Sequence, residues 1–233
     1  MRKSRTSADT AQMRVWAGDF GRKYTNRNAL LPQELDQLYV ELYGVSRTDL
    51  NRRFLQAVHP NARVLEVGCN VGIQLSILQS MGYRDLMGVE LQEYAIREAR
   101  KRTTGIKYTR GSALDLPVED ESHDLVFTSG VLIHISPREV NAALAEIHRA
   151  SRRFIWGFEY YASEYDEVVY RGNRELLWKG DFARMYLAAF SDLRLVKEER
   201  LQYTNSENQD SMFLLEKIEA ADSREGPQWH ADL

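Results

Sequence analysis

Val64-Leu65-Glu66-Val67-Gly68-Cys69-Asn70-Val71-Gly72 is the stretch whose reading decides the fold. Arg63 to Val67 is short, apolar and β-branched, the composition of a parallel strand covered on both faces. Gly68 and Gly72 follow, and without a Cβ they let the backbone turn tightly and come close to a ligand. Ile73, Leu75, Ile77 and Leu78 then recur with helical spacing. The segment therefore reads as strand, glycine turn and helix, the unit with which an α/β protein holds a nucleotide-like cofactor at the end of a strand.

The details discriminate between cofactors. A dinucleotide-binding loop needs glycine at its first, third and sixth positions so that a pyrophosphate can rest on the helix N-terminus. Here those positions are Gly68, Asn70 and Ile73. Glu66, two residues before the first glycine, would repel a phosphate and suits a cationic ligand. Asp85 to Glu90 reads as a second strand ending in a carboxylate, and Glu90 stands 22 residues after Gly68, close to the spacing at which a ribose diol is gripped. A charge ending an apolar strand is costly unless partnered, so Glu66 and Glu90 are read as facing a ligand.

Glu66 with Gly68 and Gly72 resembles the first motif of the class I S-adenosylmethionine-dependent methyltransferases, with Asn70 standing where that family usually has a glycine. Gly111 to Pro117 is similar to the family's segment near the adenine ring, although most members place an acidic residue where this chain has Ser112. The Ser112 hydroxyl, backbone carbonyls or Asp115 can each meet an adenine amino group. Ser122 to Ile135 resembles the fourth strand and following loop of small-molecule methyltransferases, with His134 facing the transferred methyl. The resemblance implies S-adenosyl-L-methionine as cofactor and S-adenosyl-L-homocysteine as product. It implies a cofactor site at Trp16, Tyr24, Glu66, Gly68, Cys69, Asn70, Gly72, Glu90, Leu91, Ser112, Ala113, Leu114, Ser129 and Gly130.

His134 and Tyr160 are the candidate catalytic side chains. An imidazole with a pKa near ~6.5 can take a proton from a hydroxyl or amine acceptor; it can equally pack between strand and helix with one nitrogen on the backbone. Methyl transfer by in-line displacement depends mainly on positioning. Glu159, Tyr160 and Tyr161 end a strand that opens on the cofactor side, where open α/β sheets bind ligands, and are placed to touch the acceptor. His59, His123 and His148 are read as structural. The single cysteine and five scattered histidines give no metal-ligand spacing, so no metal is expected.

The 233 residues, 43% hydrophobic and 28% charged, suit one domain with embellishments. A net charge of −3 offers no general attraction to nucleic acid, and Arg97, Arg100, Lys101, Arg102 and Lys107 read as the solvated face of a helix. No signal peptide or membrane span is read, so a soluble cytoplasmic protein is expected, monomeric or homodimeric, with a small-molecule acceptor and without nucleic acid or membrane partners. An RNA or protein methyltransferase, a non-catalytic cofactor-binding partner and a nicotinamide-dependent oxidoreductase are the alternatives.

Residues 1–60 read as a helical lid region, with helices over Thr10 to Tyr24, Pro32 to Tyr43 and Ser46 to Val58, the last opened by a Ser46/Asp49 capping box. A lid bearing Trp16, Phe20 and Tyr24 would exclude water from the site. Residues 61–218 form the cofactor-binding core, with helices over Pro137 to Ala150 and Glu175 to Phe190 and closing strands over Leu193 to Leu201 and Met212 to Lys217. Residues 219–233 are expected to fray. The predicted fold is α/β: a three-layer, doubly wound, Rossmann-like sheet of seven strands, mostly parallel with an antiparallel last strand. From Trp16 to Lys217 the chain also resembles the methyltransferases associated with pseudaminic acid biosynthesis, which implies an amino-sugar or similar small polar acceptor.

Overall fold

A computed structural model describes residues 10–218; the expected tail and the basic start of the chain lie outside the described residues. Four helices come first: α1 (Ala11–Ala17), α2 (Asp19–Arg27), α3 (Pro32–Tyr43) and α4 (Arg47–Phe54). The sheet follows as β1 (Arg63–Val67), α5 (Ile73–Ser80), β2 (Asp85–Glu90), α6 (Glu93–Arg102), β3 (Lys107–Arg110), β4 (His123–Ser129), α7 (Val140–Ala150) and β5 (Ser151–Tyr160). A two-stranded ribbon, β6 (Asp166–Glu167) with β7 (Trp178–Lys179), precedes α8 (Phe182–Ala189), β8 (Leu193–Gln202) and β9 (Gln209–Lys217). The seven strands lie in the order β3-β2-β1-β4-β5-β9-β8, parallel except for β9, which runs antiparallel to both of its neighbours. This is the doubly wound sheet expected, with its antiparallel last strand.

Alternation along the central strands builds the three layers, because successive side chains of a strand point to opposite faces. Val64, Leu125, Phe127, Phe154 and Trp156 join one core with residues of α3, α4, α5 and α6, among them Tyr39, Leu50, Leu75 and Ile96. Leu65, Val67, Val126 and Ile155 join the other with Leu144 and Ile147 of α7 and Phe182 and Tyr186 of α8. Val64, Leu65 and Val67 are almost completely buried, as an apolar run in a central parallel strand should be.

The structure corrects three element boundaries. The first helix is broken at Gly18, whose backbone is extended (φ −92°, ψ −156°). The break folds α2 back against α1, and Gly21 allows the approach because a Cβ there would lie 1.8 Å from the Trp16 carbonyl oxygen. The helix expected from Glu175 begins only at Phe182, since Trp178 and Lys179 pair with β6. The helix expected from Pro137 begins at Val140, after a turn in which Ser136 Oγ donates to Glu139.

The Ser46 cap is present: Ser46 Oγ accepts the Asp49 N–H at 3.0 Å. The basic residues around α6 meet local partners, with Arg100 on the Tyr108 carbonyl, Lys101 on Glu98 and Lys107 on Asp85. Among the described residues no helix is long and apolar enough to cross a membrane.

Candidate cofactor and acceptor site

The turn after β1 is left-handed at three positions: Gly68 (φ +73°), Asn70 (φ +48°) and Gly72 (φ +75°). Among residues with a side chain, asparagine is one of the few that adopt this region readily. That accounts for Asn70 at a position where the resembled family has glycine. At Gly68 a Cβ would come within 2.6 Å of Val131, and at Gly72 within 2.1 Å of the Tyr108 hydroxyl. The turn is tied to the end of β2: the N–H groups of Gly68 and Cys69 donate to the Val89 carbonyl at 2.8 and 3.1 Å, and Asn70 N–H donates to Glu90 Oε2 at 2.9 Å.

Glu90 Oε1 accepts the Gln92 N–H at 2.8 Å. Burial raises its pKa, with the amides of Gln92, Asn70 and Leu91 working the other way. A carboxylate has about four acceptor sites, so capacity for hydroxyl donors remains. Glu66 is 3% exposed, and its Oε2 has no hydrogen-bond partner. Burial pushes its pKa well up, opposed by the charge of Arg47. Asn70 Oδ1 is likewise buried without a partner. Buried polar atoms rarely stay unpaired, so two orphan acceptors beside a bare glycine turn suit a ligand that donates hydrogen bonds and carries positive charge.

These residues open onto a cavity of about 390 Å³. Of the residues expected from the sequence, Trp16, Tyr24, Glu66, Gly68, Cys69, Asn70, Glu90, Leu91, Ser112, Ala113, Leu114, Ser129, Gly130, His134 and Tyr160 all line it. Gly72 does not; it is the N-cap of α5, packed on Tyr108. The Cys69 sulfur sits where a Cβ on Gly88 would fall, and burial raises the thiol pKa well above its ordinary value, so Cys69 fills space. Ser112 Oγ accepts the Leu114 N–H at 3.1 Å, which shapes the loop, and Asp115 is not part of the lining.

His134 Nδ1 lies 2.7 Å from the Leu176 carbonyl. A carbonyl only accepts, so Nδ1 carries the proton and Nε2 keeps its lone pair. Burial holds the ring pKa down to about 4, which makes His134 neutral and weakly basic at pH 7. Its ring centroid stands 4.2 Å from that of Trp16, which meets Phe20 and Tyr24 edge-on at 5.2 Å each, and Tyr170 lies 5.8 Å from His134. Gln92 fastens this aromatic cover: its Nε2 donates to the carbonyls of Trp16 and Gly18 at 3.0 and 3.3 Å, and its Oε1 accepts from Thr25 at 3.3 Å. Neither Gln92 nor Tyr170 was legible as a site residue.

Of Glu159, Tyr160 and Tyr161, all expected to touch an acceptor, only Tyr160 lines the cavity. Glu159 does not reach an acceptor. It is fully buried and accepts the N–H groups of Val131 at 3.0 Å and Ile133 at 3.4 Å, pinning the loop that carries His134; burial pushes its pKa up to about 7. Tyr160 lines the cavity, but burial raises its pKa and its hydroxyl is shared with Tyr203, so at neutral pH it acts as a hydrogen-bonding phenol and not as a base. Tyr161 is covered by the Arg200 guanidinium, 3.4 Å above its ring.

Tyr160 apart, the far end of the cavity was not legible in the sequence. Tyr39 and Tyr43 of α3, Phe158 and Tyr160 of β5, Tyr203 after β8 and Asp210 of β9 meet there. Asp210 Oδ2 accepts from the hydroxyls of Tyr43 and Tyr203, the latter at 3.1 Å. Behind this wall the fully buried Arg47 donates to Asn51 Oδ1 at 2.9 Å, Tyr39 Oη at 2.8 Å and Ser129 Oγ at 3.2 Å.

Comparison with known proteins agrees with this geometry. Residues 65–153 match the family described as a methyltransferase domain. Over 93 residues the chain is 27% identical to an uncharacterized methyltransferase of Synechocystis sp., which covers 40% of this chain and 43% of that protein. The chain spans less than half the length of the curated relatives it matches. Among solved structures, a Pyrococcus horikoshii protein superposes with a TM-score of 0.59 at 18% identity, over 87% of this chain and 95% of that one. An S-adenosylmethionine-dependent methyltransferase of Mesorhizobium loti superposes with a TM-score of 0.55 at 15% identity, over 70% and 95%. At these identities the structures share the Rossmann-like fold.

Proposed function

We propose that this chain, which carries a methyltransferase domain across residues 65–153, is an S-adenosylmethionine-dependent methyltransferase acting on a small polar acceptor. The observation that carries the reading is the left-handed turn at Gly68, Asn70 and Gly72 locked onto Glu90, with the unpaired Glu66 Oε2 beside it. S-adenosylmethionine supplies a methyl group activated on a sulfonium. Glu66 Oε2 and Asn70 Oδ1 would receive its ammonium group, Glu90 its ribose hydroxyls, and the loop of Ser112 to Leu114 its adenine. Trp16, Tyr24 and Tyr170 would exclude water and turn aromatic faces toward positive charge, which ring faces attract.

His134 Nε2 would accept a hydrogen bond from the hydroxyl or amine of the acceptor. With a pKa of about 4 it orients the acceptor more than it deprotonates it, which suits a displacement governed by positioning. Of the expected lid region, α1 and α2 would act as the cover through which ligands enter, since α3 and α4 are packed into the core against the sheet. The general likeness of Trp16 to Lys217 to the pseudaminic-acid-associated enzymes favours an amino-sugar-like biosynthetic intermediate, methylated on nitrogen or oxygen.

Thermal unfolding with added ligands tests the reading. S-adenosylhomocysteine at about 100 times its Kd stabilises by about 2.7 kcal/mol, which moves Tm by on the order of 5–10 °C in a chain of this size. The reading expects that shift with S-adenosylhomocysteine and none with NAD; the reverse pattern overturns it.

A further inference from the structure

We propose that the acceptor carries a protonated amine, held by Asp210 within the ring of Tyr39, Tyr43, Tyr160 and Tyr203 at the end of the cavity away from the glycine turn. The proposal rests on the cofactor reading of the other end and adds the acceptor's charge. Four carboxylates line the cavity, Glu66, Glu90, Glu139 and Asp210, and among the described residues no lysine or arginine does. Glu66 and Glu90 belong to the turn, and Glu139 accepts from Ser136 Oγ at 2.8 Å. Asp210 is the one left facing the acceptor end.

Asp210 is a prepared anion. It is 1% exposed, its Oδ2 accepts from both Tyr43 and Tyr203, and its Oδ1 has no partner. A buried carboxylate oxygen without a donor is costly, and an ammonium N–H would complete it. The surrounding rings pack at centroid distances of 5.2 Å for Tyr39 with Tyr43, 4.9 Å for Tyr43 with Tyr203 and 5.4 Å for Tyr39 with Phe158. Aromatic walls accept cations, and this wall already holds one on its outer side, where Arg47 lies 5.4 Å from the Tyr39 ring and 4.6 Å from Phe158. Arg47 is fully buried and does not line the cavity. Arg47 and Lys179 act on Asp210 from outside the lining, so a carboxylate or phosphate placed there would meet Asp210 before any cation.

The groups that act on Asp210 are the hydroxyls of Tyr43 and Tyr203, Tyr160 through Tyr203, and the charges of Lys179 and Arg47. Burial outweighs them and brings its pKa up to about 6. The carboxylate is therefore ionised at neutral pH and becomes neutral under mild acid, whereas an alkylamine, like lysine, stays protonated across that range.

The test titrates n-pentylamine, n-pentanol and pentanoate into the full chain saturated with S-adenosylhomocysteine. The expected result is pentylamine binding at least tenfold more tightly than the other two, with the preference abolished in Asp210→Asn and weakened in Tyr203→Phe. S-adenosylhomocysteine titration of each variant checks the cofactor end separately. If Asp210→Asn does not fold, wild-type protein gives the answer: pentylamine affinity should fall about tenfold from pH 7.5 to pH 5, while pentanol affinity stays constant. Tighter binding of pentanoate, an amine preference that survives in Asp210→Asn, or amine binding indifferent to pH overturns the proposal. Failure of wild-type protein to bind S-adenosylhomocysteine sinks the cofactor reading instead, and the amine preference is then read on the protein without it.

Discussion

The two ends of the cavity are built by opposite means. The glycine-turn end comes from residues 66 to 92, and most of its contacts run through main-chain groups: left-handed φ at three positions and amides donated to Glu90. The tyrosine end is assembled from Tyr43, Tyr160, Tyr203 and Asp210, which three separate stretches of chain supply; the pairing of β9 with β5 and β8 sets them side by side, and the contacts that line the cavity there run between side chains. A backbone-built site tolerates few residue types at each position. A site built from side chains can be retuned one residue at a time, so specificity is expected to reside at the tyrosine end.

The contrast is broken most easily at Gly72. A valine there meets both a left-handed φ and the Tyr108 hydroxyl at 2.1 Å, and should cost on the order of 3 kcal/mol or more in urea unfolding. A loss under about 1 kcal/mol would mean that the turn is not the rigid end. Asn70→Val should cost about 1–2 kcal/mol through backbone strain alone, whereas Asn70→Gly should leave stability nearly unchanged and weaken cofactor binding by removing Oδ1; unfolding and titration of the pair separate the two roles.

Asp210→Asn should change stability by less than about 1 kcal/mol at pH 7. Its raised pKa means that ionisation opposes folding, so the contribution of Asp210 to stability is full below its unfolded pKa and is lost as pH rises towards about 6. The wild type should therefore gain on Asp210→Asn as the pH is lowered from 7 to 5, which urea midpoints at the two pH values would reveal.

The smallest effect is expected at His134. His134→Gln should lower the methyl-transfer rate by no more than about tenfold, and the wild-type rate profile should carry no inflection near pH 6.5 from this ring. Burial depresses its pKa to about 4, so the unfolded chain takes up the proton first and stability from this residue is lost as pH falls from about 6.5 toward 4. A rate inflection near 6.5 that disappears in His134→Gln would contradict this assignment.

The same contrast explains what the sequence discloses. Strand β1, its turn and the Glu90 pairing were legible because hydrophobic run, glycine spacing and strand-end charge are local signals. The turn also explains Asn70, which sequence alone left without a reason, through its positive φ. The break at Gly18 and the β6–β7 ribbon were not legible, because a helical pattern runs on through Gly18, and Trp178 and Lys179 reveal their partner strand only in three dimensions. Asp210 and Tyr203 fall between the two closing strands read from the sequence, and only the antiparallel pairing of β9 with β5 and β8 brings them to Tyr43 and Tyr160. Glu159 was placed correctly on its strand but aimed wrongly, since the amides that claim it come from the loop after β4.

Calorimetric titration of S-adenosylhomocysteine into wild type and Glu90→Ala tests the central claim most directly, with circular dichroism confirming that both are folded. Hydrogen bonds to a charged group contribute about 1.5–3 kcal/mol each, so the account predicts one-to-one binding by wild type and an affinity at least ~10-fold lower in Glu90→Ala. No binding by wild type, or equal binding by a folded Glu90→Ala, would contradict it.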